Sequence, residues 1–331
     1  QAGQVSIQAF DAKYAGQVGD LFKTVYGDDY PITTYYDPNE LAKAIANKEL
    51  FQSLAITGDG RVVGVGNMYR SAPNANIYEV GAGLVDPDFR RLNLFTRLYE
   101  YLCEVITPGE GIPLLFGEDV CNHVYTQKMQ ASLGFSPVAL EVDLMPAQTY
   151  AKEKSAAGRV ASLLDCRTFS PHPHQIYAPP AYEAELGYIY SGLDDERTVE
   201  SSSQAPPADS ASRIIPQYFE HAGVSRLTVE SIGPEFETAL DREEEKARAN
   251  QAVIWQVWLR LDCPWVGRAV DVLRGRGYFL GGLLPRWFDS DGLLMQKVNA
   301  EPNWEGINLL LDRAKRILEM VKADWERSLR T

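Results

Sequence analysis

Apolar and polar positions alternate in short runs along the first half of this chain. Val5 to Phe10 reads as a strand. Val18, Leu21, Phe22 and Val25 recur at helical spacing across Ala15 to Val25. A polar, aromatic turn follows (Tyr26, Gly27, Asp28, Asp29, Tyr30, Pro31), and Pro38 to Asn47 has the early proline of a helix start. Leu50 to Thr57 and Arg61 to Tyr69 are strand-like and joined by Gly58-Asp59-Gly60, a hairpin signal. Asn76 to Val85 is a third such run. Leu92 to Ile106 reads as a helix, and Leu114 to Phe116 begins a buried strand. Asn122 to Leu133 is a helix stopped by Gly134, and Pro137 to Met145 a closing strand. The order is β-α-α-β-β-β-α-β-α-β. Hairpins precede β-α-β crossovers, which predicts a mixed α+β fold with a central mixed sheet flanked by helices, not a doubly wound one.

The second half reads less sharply. From 159 to 192 the pattern gives a strand, a His/Pro loop (Pro171 to His174) and a helix. Residues 193–213 are rich in Ser, Pro, Ala and Asp, as in an exposed loop or linker. Residues 214–300 look globular. From Trp304 to Arg330, Ile307, Leu310, Leu311, Ala314, Ile317, Leu318 and Val321 form one stripe on a long helix. There is a weak internal echo. Gln127 to Met145 and Gly267 to Val298 each read as helix, glycine-aromatic stop, strand, turn, strand. The expected division is a domain over 1–150 and a second α/β domain over 151–331, which the echo would make a degenerate repeat.

Charge narrows the function. The chain has 331 residues and a formal charge of −13, and both halves are acidic. A nucleic-acid partner needs a net basic face, so that class is set aside. An acidic surface suits a cationic partner such as an amine, and is equally a common soluble surface. The four cysteines (Cys103, Cys121, Cys166 and Cys263) form no close pair, which disfavours a zinc site or a disulfide framework. His172 and His174 have no Cys or carboxylate beside them, so no metal is expected. No apolar run reaches about 18 residues and no leader is visible, so no membrane partner is expected and the cytoplasm is the default place. Oligomeric state stays open.

One stretch carries chemistry. Val80-Gly-Ala-Gly-Leu-Val-Asp-Pro-Asp-Phe-Arg90-Arg91-Leu-Asn93-Leu-Phe95-Thr-Arg-Leu98 runs from strand through turn into helix. Amides at a helix start lack partners and, with the helix dipole, attract anions such as phosphate. Arg90 and Arg91 add positive charge there. This is the pattern of a pyrophosphate cradle.

These residues resemble the GNAT superfamily of N-acetyltransferases. Val85-Asp86-Pro87-Asp88-Phe89-Arg90 is similar to that family's strand-ending motif, with Arg90 opening its phosphate-binding turn. Asn122, Met129 and Gly134-Phe135 follow at the family's spacing for Asn, Tyr and Gly-Phe. The element order matches over residues 4–148. The resemblance implies acetyl-CoA as co-substrate and transfer of its acetyl group to a small amine by direct attack. Gly83, Leu84 and Val85 would line the pantetheine arm. Arg90, Arg91, Leu92, Asn93, Leu94, Phe95 and Thr96 would cradle the pyrophosphate, with Asn122 also at the cofactor. A bulge near Gly81 and Gly83 would splay the strands.

Two departures matter. The family's small residues are here Asn93, which tolerates positive φ, and Phe95, which is bulky where backbone must approach phosphate. The family's frequent acid, a Tyr, is here Met129, so Tyr125, or a water near Asn122, would take its place. Glu118 and Asp119 would face the acceptor side as base or amine ligand, or be ordinary solvated strand-end charges. His123 could be a base or a polar helix start. Asp28, Asp29, Tyr30 and Tyr35 would form an acidic aromatic acceptor wall, or a packed turn. The alternative to an enzyme is a non-catalytic GNAT-like module that binds an acyl-CoA or another small ligand.

Overall fold

The computed structural model describes residues 4–146 and 158–331. The chain forms two compact units, one running to Gly117 and the other from Glu118. The expected boundary at residue 150 lies outside the described residues.

The first unit is a mixed sheet with helices. Its strands are β1 (Val5–Ala9), β2 (Leu50–Thr57), β3 (Val62–Tyr69), β4 (Tyr78–Val85) and the start of β5 (Leu114–Val120). Neighbours from β1 to β4 pair antiparallel, whereas β4 and β5 pair parallel. The helices are α1 (Ala15–Tyr26), α2 (Pro38–Ala46) and α3 (Leu94–Tyr101). The α2 start is built as its sequence suggests: Pro38 leads, and the Asp37 carboxylate accepts from the Asn39 and Glu40 amides. Val18, Leu21 and Phe22 bury their α1 stripe against Leu41, Leu54, Ile56, Val65 and Leu84. Leu94 and Leu98 pack with Ala55, Val63 and Val85. The helix expected from Leu92 starts two residues later, because Pro87–Leu92 winds as a 3-10 turn and Asn93 is left-handed.

The second unit adds α4 (Tyr125–Ser132), β6 (Ser136–Met145), β7 (Val160–Thr168), β8 (His174–Ala178), α5 (Glu183–Tyr190), β9 (Arg197–Ser201), β10 (Arg213–Phe219), β11 (Val224–Ser231), α6 (Phe236–Ala249), β12 (Ile254–Arg260), α7 (Val266–Gly275), β13 (Phe279–Phe288), β14 (Ser290–Val298) and α8 (Asp312–Ser328). Its main sheet runs β7-β6-β13-β14-β12-β11-β10, and β8 pairs with β9 in a second, small sheet. The overall class is therefore the mixed sheet and flanking helices that the pattern predicts. Three local expectations change. Residues 197–201 of the supposed loop form β9, held by parallel pairing to β8. His174 belongs to β8 rather than to a loop. Ile307, Leu310 and Leu311 precede α8, because Asn308 N–H donates to Cys121 O and Leu310 N–H to Gln127 Oε1, which holds this stretch out of the helix.

The echo has a backbone basis. Gly134 after α4 has φ 83°, and Gly277 after α7 has φ 84°. Each is followed by a buried aromatic, Phe135 or Tyr278. Asp143 in β6 and Arg286 in β13 are left-handed at the same separation from these glycines, each within a register shift. The antiparallel-then-parallel order of β3, β4 and β5 recurs as β10, β11 and β12. One detail differs from expectation: after Gly134-Phe135 the segment to Met145 is one strand, β6, and the strand paired to it is β7, beyond Met145.

Buried polar groups tie this unit together. At the β6–β13 junction, Gly282 (φ 138°) pairs with Ala139, and a Cβ there would collide with the Val138 carbonyl. Beside it Gln296, fully buried, donates to Leu140 O (2.9 Å) and Leu280 O (3.2 Å) and accepts from Val142 N–H (2.9 Å). Asp291 collects His174 Nε2 (3.1 Å), Tyr190 Oη (2.8 Å), Arg197 Nε (2.5 Å) and the Arg286 N–H (2.9 Å). Burial alone would raise its carboxyl; the His174 hydrogen bond and Arg197 hold it well below the usual range. Replacing Gln296 by Leu should cost about 2–4 kcal/mol, because three buried groups lose their partner. Urea unfolding of the variant checks this, and an unchanged midpoint would contradict it.

Candidate active site

The strand that matters most is β4. Within the first unit its parallel pairing to β5 ends at Val80–Gly117, while β4 continues to Val85 beside β3. Opposite Gly66 it carries one residue too many, and the bulge falls at Ala82 (φ 52°), between Gly81 and Gly83. Asn67 Nδ2 donates to Ala82 O (2.9 Å) and Tyr99 Oη to Gly81 O (2.8 Å), which fixes the distorted backbone. Leu84 and Val85 are buried beyond it.

The turn after β4 is open. Asp86 receives the Asp88 amide and pairs with Arg61. Arg90, Arg91, Leu92 and Asn93 are exposed. Asn93 takes the left-handed conformation (φ 54°), so it does supply the positive φ for which a glycine would otherwise serve. No side chain caps the start of α3, so its first-turn amides stay open to an anion. Leu94 is buried in the core. Phe95 packs on that core and against Tyr99, with ring centroids 5.0 Å apart. Its ring also covers Gly83: a Cβ there would lie 2.9 Å from Phe95 Cε2 and would collide with Tyr99 Oη. Thr96 is half-buried.

The expected acceptor wall separates into two parts. Tyr35 is buried and stacks on Phe22 at 4.5 Å, with Tyr30 5.8 Å away. Asp28 and Asp29 are exposed. Burial pushes the Tyr30 hydroxyl up to about 12 and the Tyr35 hydroxyl further, with the Glu79 charge adding to both. Glu79 is a buried carboxylate that the sequence pattern did not single out. Its signal was a charge in the middle of an apolar strand.

The second unit carries Glu118, Asn122 and Tyr125. Tyr125 opens α4 and is 75% exposed; its N–H donates to His123 Nδ1 (3.3 Å). The Asn122 carbonyl accepts from Asn308 Nδ2 (3.3 Å), which braces the same turn. Met129 is buried. The turn thus brings Asn122 and Tyr125 together. Glu118 lies on β5 and its side chain reaches Glu141 of β6 across the intervening β7. Asp119, expected on the acceptor side with Glu118, instead points to the opposite face, because consecutive strand residues alternate, and meets Asp165 of β7. Neither Glu141 nor this aspartate pair was visible in the sequence, because their apposition is set by strand pairing. Burial pushes Asp119 up to about 6 and Asp165 well above the carboxylate range. Both Asp119 oxygens and Asp165 Oδ1 lack a donor, which disfavours ionising both carboxyls at once.

The turn after β11 is covered. After β11, Gly233 has Ser210 O and Ala211 Cα where a Cβ would sit (2.6 and 2.8 Å). Glu235 Oε1 accepts from Ser212 N–H, and Ser202 Oγ accepts from Gly267 N–H at the start of α7 (2.8 Å). A cavity of about 220 Å³ remains, lined by Pro206, Gly233, Pro234, Phe236 and Arg268.

Solved N-acetyltransferases share part of this architecture. A ribosomal-protein-S5-alanine acetyltransferase from Vibrio fischeri matches 51% of this chain and 94% of its own, at 9% identity and a TM-score of 0.41. The aminoglycoside 6'-N-acetyltransferase from Enterococcus faecium matches 51% and 99%, at 16% identity and 0.38. The ribosomal-protein-S18-alanine N-acetyltransferase from Escherichia coli matches 51% and 96%, at 15% identity and 0.39. No family model and no curated protein matches the sequence. Among the described residues no helix is long and apolar enough to cross a membrane, and no cluster of three or more His, Cys, Asp or Glu could hold a metal.

The Asp119–Asp165 pair makes stability depend on pH. The folded state binds protons at these carboxyls more tightly than the unfolded one, so stability falls as pH rises from about 4 through about 6, where Asp119 ionises, and on toward the higher range of Asp165. Asp119→Asn lets an amide donate to Asp165. It should raise stability at pH 8 by about 2 kcal/mol and leave it nearly unchanged at pH 4. Calorimetric unfolding at both pH values reads this; equal effects at both would exclude the raised ionisation of the pair.

Proposed function

We propose that this chain is an N-acyltransferase that moves the acyl group of acetyl-CoA to a small amine. The observation that carries this reading is the open turn after β4. There the left-handed Asn93, the uncapped start of α3 and the exposed Arg90 and Arg91 present amides and positive charge together, in a chain of net charge −13. These groups fit a diphosphate. Gly83, Leu84 and Val85 would run beside the cofactor's arm, and Leu92, Leu94, Phe95 and Thr96 would shape the cradle. Asn122 would stand at the cofactor, with Glu118 and Tyr125 as the proton-handling groups. Tyr30 and Tyr35, with Asp28 and Asp29 at the rim, would recognise the amine. Bound CoA would supply the activated acyl carbon; the protein would hold it and free the amine's lone pair.

The division into a CoA-binding domain over 1–150 and a degenerate copy over 151–331 belongs to the same proposal. The covered start of α6 supports it, because segment 202–212 fills the space that the first copy leaves open. Cys121, Cys166 and Cys263 are free thiols, which supports a reducing compartment such as the cytoplasm.

A second reading has its own observation. Phe95 and Tyr99 lie over Gly83, and Met129 replaces the family's acid. Both suit a module that binds an acyl-CoA without turnover.

Calorimetry with CoA, followed by thiol release in the presence of a diamine, an amino sugar and a peptide with a free α-amino group, separates the readings. Binding with release supports the enzyme. Binding without release supports the module, and no binding excludes both. Arg90→Glu with Arg91→Glu should weaken CoA affinity by about tenfold or more, as each charge reversal at a phosphate costs on the order of 1 kcal/mol. Unchanged affinity in the double variant would remove the cradle.

A further inference from the structure

Glu118 and Asp119 occupy consecutive positions of β5, so their side chains leave the sheet on opposite faces. Asp119 meets Asp165 of the adjacent β7, Glu118 reaches Glu141 of β6 across β7, and the two pairs differ in access. Asp119 and Asp165 are both sealed, at 1% and 3% exposure. Glu141 is sealed at 2%, but its neighbour Glu118 is exposed. A proton on this second pair can be exchanged with a ligand.

Glu141 is held from the far side. Gln256 Nε2 donates to its Oε2 at 2.7 Å, and the Arg226 guanidinium lies 3.7 Å from the same oxygen. Arg226 is itself fixed, donating from Nε to Gln256 Oε1 (2.9 Å) and lying over the rings of Trp258 (4.5 Å) and Phe219 (4.9 Å). These partners come from β10, β11 and β12. The other oxygen, Oε1, is buried and meets no donor. A carboxylate oxygen without a donor, next to another carboxylate, is where a proton belongs.

We propose that Glu118 and Glu141 act as one proton-accepting pair, in which exposed Glu118 meets the ammonium of an amine substrate and buried Glu141, anchored by Gln256 and Arg226, holds the proton that Glu118 takes. This rests on the transferase reading above. Glu118 is the catalytic residue of the pair, and Glu141 positions it. In the working step the ammonium's N–H bond breaks, its electron pair stays on nitrogen, and an O–H bond forms on the pair. The pair passes from two negative charges to one, and the amine becomes nucleophilic. The titratable and charged groups facing Glu141 are Glu118 on β5, Arg226 on β11 and the neutral Cys121 thiol after β5. Burial and the Glu118 charge raise the pH at which Glu141 ionises while Arg226 opposes them, which makes it a stronger proton acceptor than an ordinary carboxylate. The second half of the chain then has a chemical role, since it supplies the residues that set the base.

The test uses the full chain with isotopically labelled glutamate carboxyls, and thiol release with the fastest amine of the panel. In the native protein one carboxyl should titrate well above the ordinary range, and the rising limb of the pH–rate profile should follow it. Glu141→Gln should remove that titration, shift the limb to lower pH and lower the plateau about ten- to a hundredfold, while CoA affinity stays unchanged. If Glu141→Gln does not fold, Glu118→Gln on the exposed side should bring the Glu141 titration down and abolish the limb. A limb unmoved by these substitutions, or native carboxyls that all titrate in the ordinary range, overturns the pair. A native protein that releases no thiol with any amine overturns the transferase reading and the role of the pair with it. In that case the titration shows separately whether the shared proton exists.

Discussion

β4 carries one residue more than the strand beside it can match. A strand with a surplus residue must give up regular pairing somewhere, and here it does so at Ala82, flanked by two glycines. Everything that makes the first unit a candidate site follows from this mismatch. The parallel pairing to β5 stops after three residue pairs, and β4 goes on alone on that side within the unit. The distorted carbonyls would be costly if left unpaired, and Asn67 and Tyr99 satisfy them. The strand then delivers its chain to Asp86, which starts a tight turn and leaves the basic residues outward. Without the surplus residue β4 could zip to both neighbours, and the turn would lead from a closed sheet.

Much of this was legible in the sequence, and the reasons are local. Gly58-Asp59-Gly60, the Asp37-Pro38 start and Gly134 act within a few residues of themselves, so their elements fall where the pattern puts them. Asn93 was readable because a left-handed residue before a helix admits few side chains. The glycine-aromatic stop at Gly134 and Gly277 was readable as an echo, and the matching backbone kinks at Asp143 and Arg286 give it substance. What stayed hidden depends on strands far apart in sequence. Glu141 and Asp165 look like single charges in apolar runs until β5, β6 and β7 are placed. Residues 197–201 look like loop until β8 lies beside them. Ile307 to Leu311 keep a helical spacing and are held extended by contacts to the turn around Cys121 and Gln127. In each case tertiary pairing overrode a local preference.

The second unit is notable for how much ionisable chemistry it keeps from water. Two carboxyl pairs sit back to back on β5, one sealed and one with an exposed member. Such groups weaken a fold at neutral pH, since a buried carboxyl without a donor resists ionisation. A sequence selected for stability alone would use amides at these positions. The start of α6 is covered as well, and strands β11 and β12 hold Glu141 from behind. Their sheet is a support for groups elsewhere in the unit.

Asp291 shows what concentration of contacts does to a fold. One carboxylate receives an imidazole, a phenol, a guanidinium and a main-chain amide, and those donors belong to β8, α5, β9 and β13. The small sheet is thereby moored to the large one through a shared anion as well as through bonds such as Ser290 Oγ to Gln175 O. Drift at this position would strand a buried guanidinium without a counter-ion and release four elements at once. Sequence variants are therefore expected to change the donors one at a time and keep the aspartate, so that the hub outlives each of its spokes.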